Sequence, residues 1–374
     1  MVTETLPNPV VHIPLYCSND TPDYCVRYLV EQVLVCLESY FAHRNPYDVL
    51  VTTNDCRVLR ALSCYRERSG HLFTLRRVGG DELLDIFGAD ERCLADAGCI
   101  RTIFSKFYPV VSRASKAIVH VDIDTMFLSK VDFGPLLASS VGLVDANRID
   151  PDMRAWRPTR KYSDFFSIPL SATPVATWLN TGVFAVCGDG LDLCRAEVRH
   201  YLENLAHAIA DGIHGSTDES IMNALAVREP ERVRVIPDYR YNFLAYYLER
   251  DPTWKWQGKI VHFHSLKPYE FYFDGVVRHR CNPFQAKRIN PELYLAVLIW
   301  CRYLHTACER FDHDFPMISA MPREVVLKEL DLMESICLAR AALCANRNRL
   351  DAGFNESVQT ERMVGRMKDP IAVL

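Results

Sequence analysis

Short apolar runs alternate with longer amphipathic stretches over the first two thirds of the chain. Val10–Tyr16 is one such run, and Asp23–His43 behind it has the length of a helix. Tyr47–Thr52 reads as a second strand and Leu72–Leu75 as a weaker third, with an Arg-rich helix around Arg57–Arg68 between them. Phe104, Phe107 and Val111 recur at helical spacing within Ile100–Ala114. Ala117–Val121 is then a buried-strand pattern that runs straight into Asp122. Val141–Val144, Trp178–Val186, Arg234–Pro237 and Lys259–Phe263 predict further strands, and Asp192–Ala210 and Asp218–Val227 predict helices. Residues 148–176 have no clear period and read as a long loop. The alternation predicts an α/β layer with parallel strands.

Beyond Pro283 the alternation stops. Glu292–Phe311 is apolar and aromatic, and Glu324–Arg347 is amphipathic, with Val326, Leu330, Met333, Cys337, Ala341 and Cys344 at spacings of three and four. The chain therefore divides into an α/β part over residues 1–285 and a helical appendage over 286–374, with a polar, partly disordered tail beyond Asp351. The aromatic run Leu293–Trp300 fits two settings. It can lie on a membrane surface, or it can pack against the rest of the chain or a second copy in a homodimer.

Composition narrows the function classes. The length of 374 residues suits one large core or two smaller ones. Hydrophobic residues at 49% and charged residues at 24% are ordinary for a soluble globular chain. A formal net charge of -4 with no Lys/Arg run lacks the basic footprint of a nucleic-acid partner. The start has neither a basic end nor an apolar run, and no segment reaches about eighteen apolar residues, so a cytoplasmic chain, at most peripheral at a membrane, is expected. The 14 cysteines are scattered singly without a Cys-x-x-Cys pair. They read as free, mostly buried thiols rather than zinc ligands or disulfides.

Four segments carry candidate chemistry. Asp122-Ile123-Asp124 sets two carboxylates at the end of an apolar strand, where open α/β sheets bind ligands. Such hard oxygen ligands suit Mg2+ or Mn2+, which can bridge the phosphates of a nucleotide diphosphate, although an Asp pair also caps turns. His262-Phe263-His264 follows a later strand. Either imidazole can complete a metal site, and Lys267 can neutralise phosphate; ordinary strand-end histidines and a surface lysine have the same appearance. In Trp178–Phe184, Asn180-Thr181-Gly182 interrupts an apolar strand. The amide can meet sugar hydroxyls and the glycine admits a close approach, or the segment is a plain bulge. Ser216–Asn223 reads as a helix N-terminus whose Asp218 and Glu219 either serve the first turn or face a sugar.

The order of these segments resembles the pattern of glycosyltransferase family 8, which includes glycogenin and bacterial lipopolysaccharide galactosyltransferases. The resemblance covers roughly residues 8–275. It implies the A-type glycosyltransferase fold, a Rossmann-like mixed sheet flanked by helices, here with a helical C-terminal extension. It implies a nucleotide-sugar donor, with UDP as the expected nucleotide, and a glycan or lipid-linked glycan acceptor. Asp122 and Asp124 would hold Mn2+ or Mg2+, with His262 or His264 as third ligand and Asp122 also near the donor ribose. Arg101 and Lys267 would hold the donor, Ile13, Tyr16 and Ser18 would cradle base and ribose, and Asn180 and Asp145 would reach the sugar. Asp218 would bind sugar hydroxyls, and Glu219 would stand beside the anomeric carbon.

The sequence departs from the family at two points. The family pattern His-x-x-Gly-x-x-Lys-Pro-Trp lacks its glycine here, and Tyr269 replaces the tryptophan. His262 lies five residues before Lys267 and His264 three, where the family has six. Glu219 stands where the family often has Gln, so a carboxylate is available as a nucleophile or as a stabiliser of oxocarbenium-like charge. The family implies retention of anomeric configuration. Two rival readings use the same residues: a haloacid dehalogenase-type phosphohydrolase with Asp122 as nucleophile, and a non-catalytic nucleotide-sugar-binding or scaffold protein.

Overall fold

Most of the apolar runs become strands of one large sheet. The computed structural model describes residues 8–17, 21–79, 106–110, 115–150, 157–170, 178–213, 217–264, 290–310 and 322–366, with a few single positions between these. Its strands are β1 Val10–Leu15, β2 Asp48–Thr53, β3 Thr74–Arg77, β4 Ala117–Val121, β5 Thr125–Phe127, β6 Val141–Val144, β7 Val183–Cys187, β8 Val233–Ile236, β9 Phe243–Leu244 and β10 Ile260–His262. Among the described residues seven form one sheet, in the order β3-β2-β1-β4-β7-β6-β8. Every pairing in it is parallel except those of β7, which runs antiparallel to both neighbours. A second, small sheet has the order β5-β10-β9. Residues 122–124 are the link between β4 of the large sheet and β5 of the small one.

The two faces of the large sheet follow from the alternation of side chains along a strand. Val11, Ile13 and Leu15 of β1 and Val119 and Val121 of β4 face one side, with α1 (Asp23–Ala42) and α2 (Cys56–Ser69). Ile118, Phe184 and Val186 face the other, with α3 (Arg160–Phe166), α4 (Gly190–Glu203), α5 (Leu205–Ala210) and α6 (Thr217–Arg228). A third apolar cluster joins Val35 of α1 to the small sheet, α7 (Pro291–Cys308) and α8 (Arg323–Arg366). Helix α1 is apolar nearly all round because it lies beneath the sheet on one side and against α7 on the other. Two of its carboxylates, Glu31 and Glu38, are deeply buried. Glu38 accepts from Tyr65 at 2.5 Å and pairs with Arg310 at 3.2 Å and His71 at 3.3 Å. Burial would raise its pKa, but these partners hold it below the usual carboxylate value.

Several elements differ from the sequence expectation. The loop expected over 148–176 contains α3, whose Thr159 accepts from the Tyr162 backbone as N-cap, and Tyr162, Phe165 and Phe166 are buried. The helix expected over Asp192–Ala210 breaks at Asn204, whose side-chain amide donates to the His200 carbonyl at 2.9 Å. Strand β3 starts two residues late, because Phe73 is drawn into the core while Leu72 stays exposed. Strand β7 starts only at Val183; Asn180 bends the chain before it, its side-chain oxygen accepting from the Gly182 backbone at 2.9 Å. The run Leu293–Trp300 is buried against α1 and α8, so its side chains offer no membrane surface. Each such aliphatic or aromatic residue contributes about 1.5–3 kcal/mol by leaving water. No disulfide joins two of the described cysteines. No helix among the described residues is long and apolar enough to cross a membrane.

Candidate functional site

Strand β4 delivers Asp122 at the carboxyl end of the sheet, and its backbone N–H donates to the Gly182 carbonyl at 2.8 Å. Two residues on, the carbonyl of Asp124 accepts from the Phe263 backbone at 2.9 Å, and His262 stands opposite Thr125 in the small sheet. These main-chain contacts bring three ligand types together. Atoms of Asp122, Asp124 and His262 lie within 4.8 Å of one another. His262 Nε2 is 3.2 Å from Asp124 Oδ1 and 3.6 Å from Asp122 Oδ2. Two carboxylates and an imidazole suit Mn2+ or Mg2+.

The surroundings of His262 prepare it as a ligand. Its Nδ1 faces Asn242 Oδ1 at 3.0 Å. The amide of Asn242 donates to Asn180 Oδ1 at 2.9 Å, which turns its oxygen toward the histidine. Nδ1 therefore carries the proton, and the Nε2 lone pair points at the carboxylates. Burial pushes the ring's pKa down to about 4, keeping it neutral. Gly182 lies directly beneath the ring: a Cβ there would fall 2.2 Å from His262 Cε1 and Nδ1. The glycine thus makes room for the ligand side chain itself. His264 is next to this ring, with centroids 5.4 Å apart, but is not part of the three-ligand group.

A cation completes the centre. Lys106, in the helical residues 106–110, reaches Asp122 Oδ2 at 3.0 Å and Asp218 Oδ2 at 2.6 Å. Thr181 Oγ1 also donates to Asp218. Burial alone would raise Asp122, yet the Lys106 ammonium and the hydrogen bond from His120 hold it far below the usual carboxylate value. Burial would lower Lys106, but the two carboxylates hold it above the ordinary lysine value.

Glu219 is tied to the same centre. Its Oε2 accepts from the Trp178 indole at 2.6 Å and its Oε1 from the Asn180 amide at 2.9 Å. Asn180 cannot turn over, because its oxygen already accepts from Gly182 and Asn242. The site thus presents two donors to residue 219. A carboxylate satisfies both, whereas a glutamine would set its NH2 against one of them. The local hydrogen-bond donors therefore fit a carboxylate at position 219. Burial and the Asp218 charge hold Glu219 above the usual carboxylate range, offset in part by the Trp178 and Asn180 hydrogen bonds.

The remaining expected residues are dispersed. Asp145 is buried at the end of β6, where its backbone N–H donates to the Ile236 carbonyl. Ile13 is fully buried in the apolar layer beside α1, so its side chain serves the core. Tyr16 is half-buried, and the adjoining Cys17 backbone is clamped by Asn54 at 2.9 and 2.6 Å. Ser18, Arg101 and Lys267 lie outside the described residues. Sequence reasoning missed Lys106, Asn242, Trp178 and His120. Lys106 left a trace as a basic residue in the same predicted helix as Arg101, Trp178 as the start of the candidate segment Trp178–Phe184, and His120 within the strand that runs into Asp122.

No protein-family model and no curated protein sequence matches the chain. Among solved structures, apo mouse xyloside xylosyltransferase 1 is similar to it with a TM-score of 0.41 and 14% identity, over 68% of this chain and 97% of that one. The apo WbbM bifunctional glycosyltransferase has a TM-score of 0.43 and 16% identity, over 72% of this chain and 48% of that one. The glycosyltransferase GlyE of Streptococcus pneumoniae TIGR4 has a TM-score of 0.43 and 14% identity, over 86% of this chain and 63% of that one. The chain thus spans about half of WbbM and less than two thirds of GlyE.

Proposed function

We propose that this chain is a metal-dependent glycosyltransferase of the A-type fold. It moves a sugar from a nucleotide diphosphate donor, a UDP-sugar, to a hydroxyl of a glycan or lipid-linked glycan. The observation that carries the reading is the convergence of Asp122, Asp124 and the Nε2 of His262 at the carboxyl end of β4. Asp122, Asp124 and His262 would hold Mn2+ or Mg2+, and a bound ion supplies charge to a departing diphosphate. Lys106 adds a second positive charge at the same place, where phosphate oxygens can take over from Asp122 and Asp218 as its partners. Asp218, held by Lys106 and Thr181, is available to sugar hydroxyls.

Glu219 would stand at the anomeric carbon. An unbroken hydrogen-bonded path runs from His262 through Asn242 and Asn180 to its carboxylate, so ligand and carboxylate are held in one rigid frame. Both carboxylate oxygens only accept, so Glu219 is suited to meet developing positive charge or to attack the sugar, with retention of configuration.

A thermal-shift screen of nucleotide diphosphates and nucleotide-sugars, with and without Mn2+, tests the reading. UDP or a UDP-sugar should raise the melting temperature only when Mn2+ is present, by about 2.7 kcal/mol of stabilisation at a hundredfold excess over Kd. Asp124→Ala should abolish both that shift and metal-dependent donor hydrolysis. Full activity in that variant would remove the metal centre from the mechanism.

A further inference from the structure

The face of the sheet away from α1 is apolar at Ile118, Phe184 and Val186, yet one row of polar side chains crosses it. Thr52 on β2, His12 on β1 and His120 on β4 follow one another toward the site, and His12 and His120 are register partners. His12 Nε2 contacts Thr52 Oγ1 at 2.8 Å, and the two imidazoles are 5.8 Å apart. Both histidines are fully buried, and the Nδ1 atom of each has no hydrogen-bond partner among the described residues. Burying such groups in an apolar face costs stability unless something is gained from them. The row ends on a metal-ligand candidate: His120 Nε2 is 2.9 Å from Asp122 Oδ1.

We infer that His120 is a positioning residue that fixes the orientation of the Asp122 carboxylate for ligation. Asp122 directly follows β4, and its backbone N–H carries the pairing on to the Gly182 carbonyl, so its side chain leaves the same face as that of His120 two residues earlier. A carboxylate oxygen can only accept, so Nε2 carries the proton and donates. The imidazole is itself held, stacked on Phe184 with centroids 4.7 Å apart. Oδ1 is therefore pinned from beneath, and Oδ2 is turned to Lys106 and to His262. Without the donor, rotation about the Cβ–Cγ bond lets either oxygen swing toward Lys106, and the ligand geometry loosens. The inference rests on the metal-centre reading above and adds the residue that sets its geometry.

Two substitutions separate the donor from the ring. His120→Phe keeps a flat ring against Phe184 and removes the N–H. His120→Gln removes the ring and keeps an N–H. Mn2+ binding, alone and with UDP, is read from the loss of the free aquo-ion signal in electron paramagnetic resonance, alongside metal-free melting of each protein. The expected result is a loss of Mn2+ affinity of about 10–100-fold in His120→Phe, with most of it restored in His120→Gln. Wild-type affinity in His120→Phe, or an equal loss in both variants, overturns the inference. Should His120→Phe fail to fold, His120→Gln decides alone: retained binding supports the donor role and lost binding refutes it. Absence of Mn2+ binding in the folded wild-type protein overturns the metal-centre reading itself, and Asp124→Ala supplies the matching control.

Discussion

Gly182→Ala is the smallest change that should disable the site. The added methyl would lie 2.2 Å from two atoms of the His262 ring, whereas ordinary contact begins at 3.4 Å. The imidazole must therefore retreat by about 1.2 Å, several times the roughly 0.2 Å tolerance of a metal–nitrogen distance. It cannot retreat freely, since Nδ1 is held by Asn242 at 3.0 Å and the residue is fully buried. Overpacking of this kind costs about 1–3 kcal/mol of stability. The loss of ligand geometry should weaken Mn2+ binding by about 100-fold or more, judged against the 10–100-fold typical of supporting residues. In a melting experiment with Mn2+ and UDP, a 100-fold weaker complex gives up about 2.7 kcal/mol of ligand-induced stabilisation. The ligand-dependent shift should then nearly vanish, while the metal-free protein still melts cooperatively. A variant that kept its Mn2+ affinity within about twofold would refute the argument that the glycine exists to admit His262.

Other expectations can be checked in the same preparations. Glu219→Gln sets an NH2 against a donor and removes the charge. Transfer should fall by about 100-fold or more in kcat while KM for the donor changes little. Lys106→Met leaves Asp122 and Asp218 facing each other with no cation between them, and should cost about 3 kcal/mol in a denaturant titration. His262, held down to about 4 by burial, should keep metal-dependent donor binding flat near neutral pH and lose it as pH falls toward about 4. The sign for stability is the same. Below about pH 6.5 the unfolded chain takes up a proton that the folded ring refuses, so this residue costs stability progressively until about pH 4.

Much of the site was legible because it sits where strands end. Ala117–Val121 could only be a buried strand, so Asp122 and Asp124 had to emerge at its carboxyl edge, and Ile260–Val261 placed His262 in the same way. The structure favours His262 over His264 because pairing with Thr125 points that ring at the carboxylates. What sequence could not supply is which distant side chain fills a given space. Lys106 lies in the same predicted helix as Arg101, and only tertiary packing determines that its ammonium reaches Asp122 and Asp218. Asn242 belongs to a short irregular segment without period, and the antiparallel course of β7 leaves no mark in composition. Asn180, expected to face the donor sugar or the acceptor, has a second role that sequence does not display: its amide donates to Glu219 and its oxygen accepts from Gly182 and Asn242.

The link between β4 and β5 has a consequence for the folding of the whole molecule. It is the shorter of two close covalent connections between the sheets, the other being residues 237–242 between β8 and β9, and His262 returns to it from far along the chain. An ion gripped by Asp122, Asp124 and His262 is therefore a cross-link that closes a very long loop, where closure removes the most freedom from the unfolded chain. Metal loading becomes a reinforcement of the seam between the sheets. A chelator would loosen that seam first, and amide exchange in Ile260–His262 would accelerate before the central strands respond.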